Sequence, residues 1–187
     1  MKHLTVKEKE IQAFEKTKDV FHYKNALAAP RMKKVVVNTG TGTLIKKDKN
    51  KNDAITDRLA KITGQKAALR GAKKSVASFK VRQGDPIGVV VTLRGNRMYA
   101  FLEKLVNIAL PRTKDFRGIN RSAVDNVGNL TIGVKEHTIF PETADEDIRD
   151  VFGMSVTLVS SARNKKEGLA FFELLGIPFK KEEKNKI

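Results

Sequence analysis

The stretch from Ile87 to Pro111 constrains the fold more tightly than any other part of the chain. Ile87 to Leu93 is a run of aliphatic and β-branched residues interrupted only by Gly88, the composition of a strand that packs within a sheet. Gly95-Asn96 follows almost at once and opens a helical pattern. Met98, Phe101, Leu102, Leu105, Ile108 and Ala109 share one broad apolar face, until Pro111, which cannot donate a backbone hydrogen bond, ends it. A strand feeding directly into an amphipathic helix implies that the helix packs on the sheet.

The remaining elements follow from periodicity and punctuation. Val6, Ile11, Phe14 and Phe21 form a loose helical stripe ending near His22. After Pro30, Lys33 to Asn38 reads as a strand, and Thr39-Gly40-Thr41-Gly42 is too glycine-rich to continue it. Asn52 or Asp53 caps a helix with Ile55, Leu59 and Ile62 on one face and Gly64 as its stop. Gln65 to Arg82 is expected to hold a short strand, an extended loop and a return strand near Phe79 to Arg82. A turn at Val127-Gly128-Asn129 leads into a strand from Leu130 to Val134, in which Gly133 marks a bulge or a close approach. Met154 to Ser161 is the last strand. Asn164 and Glu167 form a capping box for a final helix, with Leu169, Phe172 and Leu175 turned inward and Gly176 as the stop. Strands and helices mix without strict alternation, so the expected class is α+β: one domain, a mostly antiparallel sheet, helices on one face and the other face open. Its expected extent is residues 1–180, with 72–82 as an extended basic loop and 181–187 as a charged, disordered tail.

Composition narrows the function. Lys and Arg number 37 against 21 Asp and Glu, a formal charge of +16, which favours a polyanionic partner. The absence of Cys removes disulfides, thiolate nucleophiles and zinc ribbons, and fits a reducing compartment. His3, His22 and His137 have no metal-ligand spacing, so no metal is expected. The N-terminus lacks a continuous apolar run, and no stretch approaches the roughly 20 apolar residues of a membrane span. A cytoplasmic protein without membrane contact is the expectation.

Charge is segregated along the chain. From Lys61 to Arg82 the basic residues are Lys61, Lys66, Arg70, Lys73, Lys74, Lys80 and Arg82, with no acidic residue, an electrostatic footprint for phosphates. A second run, Arg94, Arg97, Lys104, Arg112, Lys114, Arg117 and Arg121, is opposed only by Glu103 and Asp115, whereas Glu136 to Asp150 is acidic. Such segregation marks a binding surface more than general solubility. The Gly40-Thr41-Gly42 loop lacks the further residues of a nucleotide-binding loop, and Asp145, Glu146 and Asp147 have no nucleophile beside them and read as a solvated helix start. Neither supports an enzyme or a cofactor. Aromatic residues are few, Trp is absent, and Phe79 is the only ring in the first basic run. Structured RNA, bound through phosphates, 2'-hydroxyls and shape, therefore fits better than single strands read by stacking platforms.

Several motifs are more specific. PRMKKVVVNTGTG at residues 30–42, Gly64-Gln65-Lys66, AKKSVASFKVRQG at 72–84, Pro86-Ile87-Gly88, TLRGNRM at 92–98, LPRTKDFRG at 110–118, Gly128-Asn129, Gly133 and IFPE at 139–142 occur in this order. With Ser161-Ala162, Glu167-Gly168 and Pro178-Phe179, they resemble the family of large-subunit ribosomal protein five, in its bacterial form, over nearly the whole chain. The chain departs from that pattern at Ala67, where the family often has Pro, at Asp85, which puts negative charge at the base of the basic loop, and in the Lys-rich linker from Lys46 to Asn52.

The resemblance implies a non-catalytic ribosomal protein that joins 5S rRNA to 23S rRNA in the central protuberance, beside neighbouring proteins. It carries 5S rRNA contacts to Asn38, Thr39 and Gly40, to Gln65 and Lys66, and to Thr92 and Arg94. It carries contact with peptidyl-site tRNA to Lys73, Lys74, Ser75, Lys80 and Arg82 in the loop. Arg112, Lys114, Asp115, Phe116 and Arg117, with the acidic segment after Glu136, are implied to face rRNA or a small-subunit head protein across an intersubunit bridge. The competing readings are a non-ribosomal structured-RNA binder or chaperone, and a nucleotide-dependent enzyme using the Gly40 to Gly42 loop.

Overall fold

The structure is a computed structural model that describes residues 4–42, 51–143 and 151–180. The expectations for the linker at 46–50, for Asp145, Glu146 and Asp147, and for the tail at 181–187 fall outside these residues. Strands β1 (Met32–Gly40), β2 (Ala68–Gly71), β3 (Pro86–Leu93), β4 (Leu130–Val134) and β5 (Met154–Ser160) form one open sheet in the order β2-β3-β1-β5-β4. Every neighbouring pair is antiparallel. The protein is an α+β domain, as its mixed pattern predicts.

Strand alternation decides where the core lies. Val35 and Val37 on β1, Val89, Val91 and Leu93 on β3, Leu130 on β4, and Val156 and Leu158 on β5 are buried on one side of the sheet. They join one hydrophobic cluster with residues of α2 (Lys51–Thr63), α3 (Gly95–Lys104) and α5 (Lys165–Leu174). Phe101, Phe140, Phe171 and Phe172 are wholly enclosed there, and full burial of such side chains contributes roughly 1.5–3 kcal/mol each. The helix α1 (Val6–Phe21) begins with a capping box in which Thr5 Oγ1 accepts from the Glu8 amide and the Glu8 carboxylate accepts from the Thr5 amide at 2.7 Å. Its buried residues are Val6, Ala13 and Thr17, while Ile11 is 70% exposed. The helix thus lies down on its small residues, and the stripe expected through Ile11 is displaced around it.

Several local expectations change for identifiable reasons. β1 does not end at Asn38 but continues to Gly40, because Thr39 and Gly40 pair with Val89 and Gly88; the ladder outweighs the weak strand preference of glycine. Pro111 does not end its helix. A π-helical turn at Leu105–Ala109 intervenes, with the Leu110 amide donating to the Leu105 carbonyl, and the short α4 (Leu110–Arg112) continues from it, so the helical backbone runs one residue past Pro111. The extra residue in that turn rotates the helical face and leaves Ile108 43% exposed.

Asn52 sits inside the first turn of α2 rather than capping it, and its Nδ2 donates to the Pro86 carbonyl at 3.2 Å. No regular return strand forms near Phe79: residues 77–79 make a 3-10 turn, closed by a single bridge between Val76 and Val81. Gly133 pairs in register with Ser155 and faces open space, so it marks neither bulge nor close approach. Asn164 caps α5 by accepting from the Glu167 amide at 2.9 Å, but the Glu167 carboxylate reaches the Arg163 amide and the Tyr23 hydroxyl.

Ahead of β4, the Asp125 carboxylate organises the turn by accepting from the Asn129 and Val127 amides at 2.7 and 3.0 Å. The Asn129 amide is the main cause holding that carboxyl below the usual range.

Candidate nucleic-acid interface

The side of the sheet opposite the core is built by the intervening strand positions, and antiparallel pairing arranges them in ranks across the strands. One rank reads Thr131, Thr157, Val36 and Thr92 across β4, β5, β1 and β3. The next reads Gly133, Ser155, Asn38, Val90 and Ala68 across all five strands. A third runs from Gly40 through Gly88 to Arg70, and Lys34 lies opposite Val159. None of these positions is buried apart from Gly88, and none carries an acidic side chain. The Thr131 and Thr157 hydroxyls stand 3.1 Å apart, and Ser155 Oγ donates to the Asn38 carbonyl at 3.3 Å.

Short side chains and glycines keep this surface low, and its polar groups are hydroxyls and an amide that both donate and accept. Such a surface suits close approach by a sugar-phosphate backbone, whose 2'-hydroxyls and phosphate oxygens need partners of this kind.

The residues singled out in the sequence divide around this face. Asn38, Gly40 and Thr92 lie on it, and Arg94 follows Thr92 as the exposed N-cap of α3. Gln65 is half-buried, and its Nε2 donates to the Thr92 carbonyl at 3.2 Å, so it braces the end of β3; Lys66 beside it is exposed. Thr39 stands apart. Its side chain points to the core side, 1% exposed, with no hydrogen-bond partner for Oγ1. Arg70 was singled out only as part of the basic run, and Lys34, Thr131, Ser155 and Thr157 were missed, although alternating hydroxyls in Leu130-Thr131-Ile132 and Met154-Ser155-Val156-Thr157 carry the signal in plain sequence.

The basic loop leaves the far end of the sheet on a pinned base. The Ala72 amide donates to the Asp85 carbonyl at 2.8 Å, and the Gly84 amide to the Ala72 carbonyl at 3.0 Å. A Cβ on Gly71 would meet the Gly84 carbonyl oxygen at 3.0 Å, so the two limbs need that glycine to approach. The Asp85 carboxylate accepts from the Arg82 amide at 2.7 Å and Ser75 Oγ from the Gln83 amide at 2.9 Å. Asp85 thus ties the loop base together. Lys73, Lys74, Lys80 and Arg82 are all exposed.

A third group gathers beyond the opposite edge of the sheet, past the end of β4, where Arg112, Lys114 and Asp115 share a cleft with Lys135, Glu136 and Thr138. Phe116 packs partly against the core, and Arg117 is exposed. Not every charge in the second basic run is available: Lys104 pairs with Glu142, and Arg121 with Glu173 at 2.7 Å. Glu142 is therefore already engaged within the chain.

Comparison with known proteins decides the family. Residues 25–82 match the family described as Ribosomal protein L5, and residues 86–179 match the C-terminus of that same ribosomal family. The Large ribosomal subunit protein uL5 of Trichlorobacter lovleyi is 47% identical over 169 residues, covering 90% of this chain and 94% of that protein. Its counterpart from Halothermothrix orenii is 48% identical over 164 residues, covering 88% and 91%. That from Synechococcus sp. is 48% identical over 159 residues, covering 85% and 88%. The chain belongs to the uL5 family.

A uL5 protein is a non-enzymatic structural component of the large ribosomal subunit, which sets aside the nucleotide-dependent reading of the Gly40 to Gly42 loop. In this uL5 chain Gly40 completes β1, Thr41 donates its amide to the Ile87 carbonyl at 2.8 Å, and Thr41 Oγ1 is buried. That segment prolongs the pairing of the central strand β1 with β3. Ribosomal membership implies rRNA partners, and among the described residues no helix is long and apolar enough to cross a membrane.

Proposed function

We propose that the open sheet face of this uL5 protein binds 5S rRNA, with Arg94, Lys66 and Arg70 anchoring phosphates at its margin and Asn38 and Thr92 meeting the backbone at its centre. The observation that carries this reading is the acid-free face of ranked hydroxyls, amide and glycines, set in a chain of +16 charge. The basic loop contacts peptidyl-site tRNA through Lys73, Lys74, Ser75, Lys80 and Arg82. The cleft at Arg112, Lys114 and Asp115, with Phe116 and Arg117, faces 23S rRNA or a small-subunit head protein. Together these contacts tie 5S rRNA into the central protuberance beside 23S rRNA and its neighbouring proteins.

The test is a salt titration of binding to 5S rRNA beside an unrelated structured RNA of the same length. Selectivity for 5S rRNA persists as salt rises if the face recognises shape, whereas affinities that fall together leave a general RNA binder. Arg94→Ala weakens 5S binding and lowers the salt slope by about one phosphate contact. Lys74→Ala leaves 5S binding intact and weakens tRNA contact. Equal loss of 5S binding in both variants overturns the division between sheet and loop.

A further inference from the structure

At the base of the basic loop the structure holds an apolar cleft of about 700 Å³, a volume typical of small-ligand sites. Val76, Phe79, Val81 and Ile87 form its walls, and Gly40 and Gly42 leave one side without side chains. Phe79 is 65% exposed and Val76 40%, an arrangement that a small surface loop does not adopt to serve the core. Lys73 and Lys74 lie on the same cleft. An apolar slot containing one aromatic ring, with two ammonium groups beside it, matches a nucleotide: a flat base for the slot and a phosphate for the lysines. Charge favours this occupant over a protein side chain, because the loop and the flank before it, from Lys61 to Arg82, are free of acid, and the carboxylate after it, Asp85, accepts from the Arg82 amide. Gly40 also lies on the open sheet face, so an RNA strand leaving that face reaches the cleft directly.

We propose that this cleft captures a single unpaired RNA base, stacked on Phe79, with its phosphate held by Lys73 and Lys74. The scarcity of aromatic residues excludes a multi-base platform but leaves room for one such seat. The inference rests on the reading of the loop as an RNA-contact element and not on which RNA the sheet selects.

The experiment uses the full chain and a short single-stranded RNA carrying 2-aminopurine at its central position, beside the same strand with an abasic central position. The expected result is quenching of 2-aminopurine on binding and at least about fivefold weaker binding of the abasic strand, the low end of base–aromatic stacking. Phe79→Ala removes both the quenching and the preference. Gly42→Val does the same by filling the slot from the opposite wall, where a Cβ stands 3.7 Å from that of Ile87 and meets no clash. Lys74→Ala weakens both strands alike and keeps their ratio. Equal binding of the two strands by the unaltered protein overturns the proposal and leaves the cleft to an apolar protein side chain; so does a preference that survives both cleft variants. Loss of 5S selectivity in the separate titration bears on the sheet and not on this seat, so the two failures are distinguishable.

Discussion

At the scale of single residues, Asn38 and Thr39 show how adjacency in sequence misleads in a strand. Resemblance assigns both to 5S rRNA, yet successive side chains in a strand point to opposite faces, and only Asn38 reaches the open one. Thr39 Oγ1 is enclosed without a hydrogen-bond partner. An unsatisfied buried hydroxyl costs roughly 1–3 kcal/mol relative to a satisfied one, and an apolar group of the same shape removes that cost. Thr39→Val is therefore expected to leave stability unchanged or raise it by about 1 kcal/mol, read from the urea midpoint, and to leave 5S affinity untouched. Asn38→Ala lowers 5S affinity at similar stability. A Thr39→Val protein that folds normally but loses 5S binding returns Thr39 to the interface.

At the scale of elements, α5 docks against the turn before β4 through two glycines. A Cβ on Gly168 would stand 2.7 Å from Gly128 Cα and 2.9 Å from the Gly128 carbonyl oxygen, both backbone atoms that cannot swing away. Gly128 itself has φ +81, a conformation suited to glycine. Gly168→Ala gains up to about 1 kcal/mol in helix propensity but forces helix and turn apart. The expected net is a loss of about 1–3 kcal/mol, as for overpacking in a closed contact. Gly133→Ala is the contrast, since its Cβ meets nothing within 4 Å and thermal unfolding should barely shift; equal losses at both positions would remove the docking argument. The elements themselves were legible where pattern and punctuation agree, as in β3, α2 with its Gly64 stop, and the Asn164 cap of α5. What escaped were features set by distant partners. The continuation of β1 through Gly40 depends on pairing with Gly88, and the strand order β2-β3-β1-β5-β4 leaves no local trace. Pro111 read as a stop because the π-helical turn that accommodates it has no signature of its own. The candidate face was half legible: the motifs singled out Asn38, Thr92 and Arg94, and the alternating hydroxyls of Thr131, Ser155 and Thr157 stand in the sequence, but only the register sets them beside Asn38 and Thr92.

At the scale of the whole molecule, the question is whether the +16 charge binds RNA wherever it lies or whether the open face decides. Two substitutions change the net charge equally and separate these cases. Thr157→Glu places a carboxylate within the rank shared by Thr131, Val36 and Thr92, where it would repel the phosphates of RNA bound as proposed and finds no neighbouring cation on that rank to neutralise it. Ile11→Glu places the same charge on α1, at a position 70% exposed and off the sheet face. Exposed charges separated by more than a Debye length of about 8 Å at physiological salt are largely screened, so the second carboxylate acts weakly on RNA bound to the sheet. Thr157→Glu is expected to weaken 5S binding at least about tenfold, the equivalent of about 1.4 kcal/mol, with an isosteric Thr157→Val showing the smaller loss due to the hydroxyl alone. Ile11→Glu should change 5S affinity by less than about threefold, within the residual long-range term that vanishes as salt rises. Circular dichroism before each titration separates lost contact from lost fold. Equal weakening by the two carboxylates would make net charge the agent; a loss confined to Thr157→Glu makes the ranked face of the sheet the recognition surface and gives the segregation of charge along the sequence its structural meaning.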